Sequence, residues 1–156
     1  MTRSGILDLS QAHIWKEYFD SLPESLRDVY FMPEYYEVQE KQGKGAARCF
    51  FTENDNGFVL YPFLLNPIEV SGLNLRGSFY DVEGAYGYNG ALSSTVDADL
   101  IRAFHERFCE YALEKGIVAE FTRFNPVLRN HAISAYMNVV NANQNVSLDL
   151  SNDNFW

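Results

Sequence analysis

Apolar residues along this chain recur at helical spacing in some stretches and form short extended runs in others. Ile14, Trp15, Tyr18, Phe19 and Leu22 share one helical face, with Ser10 as the cap and Pro23 as the stop. A second helix opens at Pro33, a favoured first helical position, and runs through Tyr36 to about Gln42, where Gly43-Lys44-Gly45 breaks it. Ala46–Glu53 and Phe58–Leu65 read as two strands joined by the hairpin turn Asn54-Asp55-Asn56-Gly57, with Pro62 marking an edge or a bulge. A weaker strand covers Leu73–Val82. The strongest helix is Asp99–Lys115, with Leu100, Phe104, Phe108 and Tyr111 on one face and a capping box from Ser94 and Asp97. Lys115 and Gly116 end it. Ile117–Phe124 then reads as a buried strand, Asn130–Met137 as a short helix and Asn145–Leu150 as a last strand.

The order α-α-β-β-β-α-β-α-β is that of a single α/β or α+β domain whose strand–helix–strand centre is a right-handed crossover. A length of 156 residues suits one such domain with a real core. No apolar run is long enough to span a membrane, and the first residues carry no apolar signal core, so a cytoplasmic location is expected. The net charge of −9 argues against a nucleic acid gripped directly by this chain, because phosphates are neutralised by Lys and Arg. One or two arginines still suffice for a compact anion. Cys49 and Cys109 lack any metal-ligand spacing and read as reduced, buried thiols. His13, His105 and His131 have no nucleophile signal near them, and no metal motif is present.

Chemistry concentrates in Tyr80-Asp81-Val82-Glu83-Gly84-Ala85-Tyr86-Gly87-Tyr88-Asn89-Gly90, where aromatics, carboxylates and glycines meet between a strand and a helix. Two readings stand equal: a ligand-contacting loop, or aromatic packing of a long connection. Asp81 and Glu83 point to one face of an extended segment, as general acid–base work or sugar binding requires, although a solvated edge has the same spacing. Arg123-Phe124-Asn125-Pro126 lies at the carboxyl end of a strand, the side on which open α/β sheets bind ligands. There Arg123 is placed either to grip a carboxylate or phosphate or to pair with Glu120 or Asp81. Gly43-Lys44-Gly45 follows a helix instead of a strand and is a connection, not a phosphate loop.

Taken in order, Phe31-Met32-Pro33-Glu34-Tyr35-Tyr36, Leu60-Tyr61-Pro62-Phe63-Leu64-Leu65, Tyr80-Asp81, Tyr86-Gly87-Tyr88-Asn89-Gly90-Ala91-Leu92, Arg123-Phe124-Asn125-Pro126 and Asn130 resemble the N-terminal half of proteins related to the FemAB peptidoglycan aminoacyl transferases. The resemblance implies a GNAT-like fold with a mixed central sheet flanked by helices over residues 1–150, and residues 151–156 as the start of a second half. It implies acyl or aminoacyl transfer onto an amine of a cell-envelope glycan or peptidoglycan precursor, this chain contributing substrate binding more than complete catalysis. Its site residues fall on Tyr86, Tyr88, Asn89, Arg123 and Asn125 for substrate and Asp81 for catalysis as a base. The partners implied are a small-molecule or glycan-precursor substrate and a second GNAT-like domain. The donor implied for a complete protein is acyl-CoA or aminoacyl-tRNA. This chain lacks the Arg/Gln-x-x-Gly-x-Gly/Ala loop of GNAT enzymes, so no cofactor is assigned to it. The alternative reading is a non-catalytic binding or interaction module that keeps the fold.

Overall fold

A computed structural model describes residues 1–69, 76–134, 136–141 and 144–146. Its elements are β1 (Arg3–Leu7), α1 (Ala12–Asp20), α2 (Pro33–Lys41), β2 (Ala46–Asn54), β3 (Gly57–Pro67), β4 (Tyr80–Glu83), β5 (Leu92–Ser93), α3 (Ala98–Lys115) and β6 (Ile117–Phe121). They build a mixed six-stranded sheet ordered β1-β2-β3-β4-β6, with β5 paired to β3 beyond the end of β4. Neighbours are antiparallel except β4 and β6, which run parallel on either side of α3 in sequence. Among the described residues no helix is long and apolar enough to cross a membrane.

The centre of the sheet is buried on both faces, which is why β2 and β3 read as nearly unbroken apolar runs. Cys49, Phe51, Leu60 and Leu64 pack on one face against Trp15, Phe19, Phe31 and Tyr36 from α1, α2 and the turn between them. Phe50, Val59, Tyr61, Phe63 and Leu65 pack on the other against Leu100, Phe104 and Phe108 of α3. Buried Trp15 spends its indole N–H on the Phe31 carbonyl at 3.1 Å, so its polar atom costs nothing.

Several sequence expectations change here. The first strand, β1, has no turn signal to announce it and is paired only by its register with β2. Asp8, not Ser10, caps the turn that leads into α1. Pro62 lies in an inner strand, yet no ladder bond is lost. Counting from the Asn54↔Gly57 turn pair, its nitrogen faces away from β2, into the gap between the β5 and β4 pairings. Strand β6 is not buried: Val118 and Phe121 are exposed along it. Cys49 is buried but Cys109 is exposed. The helix expected at Asn130–Met137 shrinks to a 3₁₀ turn over Asn130–Ile133. Leu73–Leu75 and most of the strand expected at Asn145–Leu150 lie outside the described residues.

Candidate functional site

Strands β4 and β6 end side by side, at Glu83 and Phe121. Past that point the chain leaves β4 for Gly84–Tyr88 and, at Asn89, meets the segment that follows β6, the Asn89 N–H donating to the Arg123 carbonyl at 2.7 Å. The excursion opens a shallow cleft of about 160 Å³ between the parted strands. Glu83 through Gly87, Asn89, Phe121 and Arg123 line it. It lies on the α1/α2 side of the sheet, since alternation sends Asp81 and Glu83 there while Val82 joins the α3-side core.

The loop is held by aromatic edges and short polar bonds. Tyr30 meets Tyr35 and Tyr88 edge to face, with centroids at 5.4 and 5.5 Å. The Tyr35 hydroxyl donates to the Tyr86 carbonyl at 2.6 Å. Gly87 has φ +108°, and a Cβ there would lie 2.2 Å from the Tyr30 ring. Gly84 has no such φ, but a Cβ on it would stand 2.3 Å from that of Asn89. These two glycines therefore serve close packing of the loop on its own scaffold. Below it, buried Asn130 donates to the Asn89 and Ala91 carbonyls at 2.9 and 3.3 Å and accepts from the Asn125 N–H at 2.9 Å.

The residues singled out from sequence thus separate by position. Tyr86 projects with 79% of its surface exposed, and Arg123 is exposed beside it. Neither Glu120 nor Asp81 pairs with Arg123. Asp81 accepts from Asn66 Nδ2 at 2.9 Å, and among the described residues no carboxylate forms a salt bridge with the Arg123 guanidinium. Asn66 Nδ2 also reaches Glu83 at 3.2 Å, so the two carboxylates do share a face. Tyr88 is half-buried against Tyr30. Asn125 is committed inside the fold: its Nδ2 donates to Asp28 at 3.0 Å and its Oδ1 accepts from the Val127 and Leu128 N–H groups.

Asn89 is 1% exposed, and among the described residues its Nδ2 has no partner. Its Oδ1 lies 3.1 Å from the Tyr36 hydroxyl, which lies equally close to the Pro62 carbonyl. One hydroxyl proton serves only one of those acceptors, so the Asn89 amide is under-satisfied at the floor of the cleft. An unpaired buried amide costs about 1–3 kcal/mol.

Phe121 escaped the sequence reading, and Glu120 entered it only as a candidate partner of Arg123. Phe121, 67% exposed, stands across the cleft, and only the parting of the strands makes that position a wall. On the opposite face of β6, Glu120 Oε1 accepts from Tyr61, from Thr122 at 3.3 Å and from Tyr136 at 3.5 Å. Burial pushes the Glu120 carboxyl above its ordinary range, with these donors opposing. A lone Glu inside the apolar run Ile-Val-Ala-Glu-Phe was the available signal.

The start of α3 is closed on itself. Asp97 Oδ1 accepts from the Asp99 and Leu100 N–H groups at 2.9 and 3.2 Å. Its Oδ2 accepts from Asn56 in the β2–β3 turn at 2.5 Å.

No protein-family model matches this chain, and no curated protein does. Among solved structures, the chain is similar to a ribosomal-protein-alanine N-acetyltransferase from Brucella melitensis biovar Abortus 2308, with 15% identity, a TM-score of 0.52 and coverage of 96% of this chain and 99% of that one. Weaker likenesses are an acetyltransferase from Trypanosoma brucei, with 13% identity, a TM-score of 0.47 and coverage of 95% and 100%, and a predicted acetyltransferase from Clostridium acetobutylicum, with 10%, 0.46 and 97% of both chains. With its mixed sheet, the three α-helices among the described residues and the parallel β4–β6 pair flanking α3, the chain has the fold of the GNAT acetyltransferases.

Proposed function

We propose that this chain is an acyltransferase domain of FemAB type that binds an amine-bearing cell-envelope glycan or peptidoglycan precursor in the β4–β6 cleft, in the cytoplasm and in company with a second GNAT-like domain. The observation that carries the reading is the guanidinium of Arg123, without a carboxylate partner among the described residues, beside the exposed Tyr86 ring and above the under-satisfied Asn89 amide. Arg123 supplies a planar, permanently charged fork for a carboxylate or phosphate of the precursor. Tyr86 and Phe121 give flat contact area on its two sides. Tyr88 and Asn125 position the loop and the turn that shape the cleft.

Transfer in this reading is direct. The amine nitrogen attacks the acyl carbon, the C–N bond forms as the bond to the leaving group breaks, and the leaving group departs with the electron pair. The amine proton passes to Asp81 or its neighbour Glu83, the carboxylates that Asn66 holds together on the cleft side. Orientation of the two reactants supplies most of the rate advantage.

The closed start of α3 favours a second reading, a binding module without turnover. Titration of the intact protein with a peptidoglycan-precursor peptide, followed by amide shifts, tests the first. Saturable binding that weakens by about tenfold or more in Arg123→Ala supports it, since removing one side of a charge-assisted pair costs at least about 1.4 kcal/mol. Unchanged affinity in that variant would refute it. Binding without any acyl transfer, once donor and second domain are supplied, selects the module.

A further inference from the structure

The usual acyl donor of this fold, coenzyme A, carries a diphosphate, and an α/β domain seats a diphosphate on free N–H groups at a helix N-terminus. The corresponding place here is the start of α3, and the residues present do not fit that group. The Ser94 N–H donates to the Phe58 carbonyl at 2.9 Å, Thr95 to Ser93 Oγ at 3.3 Å and Asp97 to Thr95 Oγ1 at 3.2 Å. Asp99 and Leu100 are taken by the Asp97 carboxylate, and Ile101 by the Asp97 carbonyl at 3.0 Å. A diphosphate arriving there must compete for these donors, and among the described residues only the Val96 and Ala98 N–H groups are left without a partner.

Charge opposes it as well. Asp97 and Asp99 stand at the mouth of the helix, where like charges repel an anion. The bond from Asn56 and the amide bonds hold the Asp97 carboxyl below its usual range, so it stays ionised at neutral pH. Arg102, the cation of the first turns, is paired with Asp99 at 2.5 Å. The same corner is packed from the β2–β3 turn: a Cβ on Gly57 would lie 2.6 Å from Ser94 Oγ. The closure is therefore tied into the hairpin and is not one adjustable side chain.

We infer that the helix seat for the diphosphate is sealed in this chain, so that any acyl donor is held through its acyl arm at the β4–β6 cleft and a nucleotide diphosphate adds nothing to its binding. The inference rests on the acyltransferase reading for the cleft but not for α3. It selects donors whose recognition lies in the acyl or aminoacyl portion.

The test compares acetyl-CoA, S-acetylpantetheine and inorganic pyrophosphate on the wild-type protein, with amide shifts recorded over Ser94–Ile101 and over the cleft. Affinities for the two thioesters are expected to agree within about threefold, less than 1 kcal/mol apart, with no saturable shift at Asp99 or Leu100. Failure of both thioesters to bind overturns the acyl-arm half of the inference. A larger advantage for acetyl-CoA, or saturation of the Asp99 and Leu100 amides by pyrophosphate, overturns the sealed seat. That failure would leave the Arg123 test of the cleft untouched, and failure of the Arg123 test would leave α3 sealed.

Discussion

At the residue scale, the cleft separates side chains by what remains unspent. Among the described residues Arg123 has no carboxylate partner and Tyr86 presents an exposed ring, while Asn125 and Tyr88 are consumed by the scaffold. Tyr86→Phe should leave binding within about a factor of two, because the ring supplies the contact, whereas Tyr86→Ala should lose more, as loss of a stacking face costs about 0.5–1.5 kcal/mol. Calorimetric titration of the two variants with the precursor peptide separates ring from hydroxyl. A different residue sets acid behaviour. His105 has both ring nitrogens buried without a hydrogen-bond partner among the described residues, and burial holds its pKa below the ordinary value of about 6.5, with the Ile133 backbone opposing. Its folded form therefore binds fewer protons than its unfolded form below that value. The stability it contributes is complete above about pH 6.5 and is lost as the pH falls toward its lower folded value. Thermal midpoints at about pH 5.5 and 7.5 should differ in the wild type, and part of that difference should vanish in His105→Leu.

At the element scale, the loop after β4 and the helix α3 are held by different means. Gly87 combines φ +108° with a Cβ position 2.2 Å from Tyr30, whereas Gly43, at φ +75°, has nothing within 4 Å. Gly43→Ala should cost only the left-handed backbone term of about 1–2 kcal/mol, and Gly87→Ala should cost more. Urea unfolding of the pair isolates the packing contribution of the loop. If the two variants were equally stable, the loop would not be seated on Tyr30 as described. Helix α3 is anchored by burial: Phe104 is fully buried and contacts Phe50 and Tyr61 at centroid distances of 5.9 and 6.3 Å. Phe104→Ala should destabilise the domain by about 3–5 kcal/mol, the range for truncating a buried aromatic. Denaturant midpoints at constant slope would measure it.

At the scale of the whole molecule, the sheet carries a separate apolar layer on each face, and the candidate site sits where its parallel pair comes apart. Whereas the strand expected over Leu73–Val82 is found, among the described residues, only at Tyr80–Glu83, the sequence by itself determined the helices α1, α2 and α3, the β2–β3 hairpin and the α/β class. Each of those rests on local signals: the Pro33 start, the Asn54–Gly57 turn, the Leu100–Phe104–Phe108 stripe and the Gly116 stop. It also drew attention to Tyr86 and Arg123, because aromatic and guanidinium groups near strand ends are visible one residue at a time. Tertiary structure alone decided that β1 pairs with β2 and that Phe121 faces a cleft. It decided too that Arg123 finds neither Glu120 nor Asp81, and that Asn125 is spent on Asp28, far away in the chain. It also turned the α3 start from a capping signal into a closed corner, since the Asn56 bond arrives from another hairpin. The physical reason is common to all of these. Periodicity and turn chemistry act over a few residues, whereas an unpaired charge or a spent N–H is settled by groups brought together only when distant strands pair.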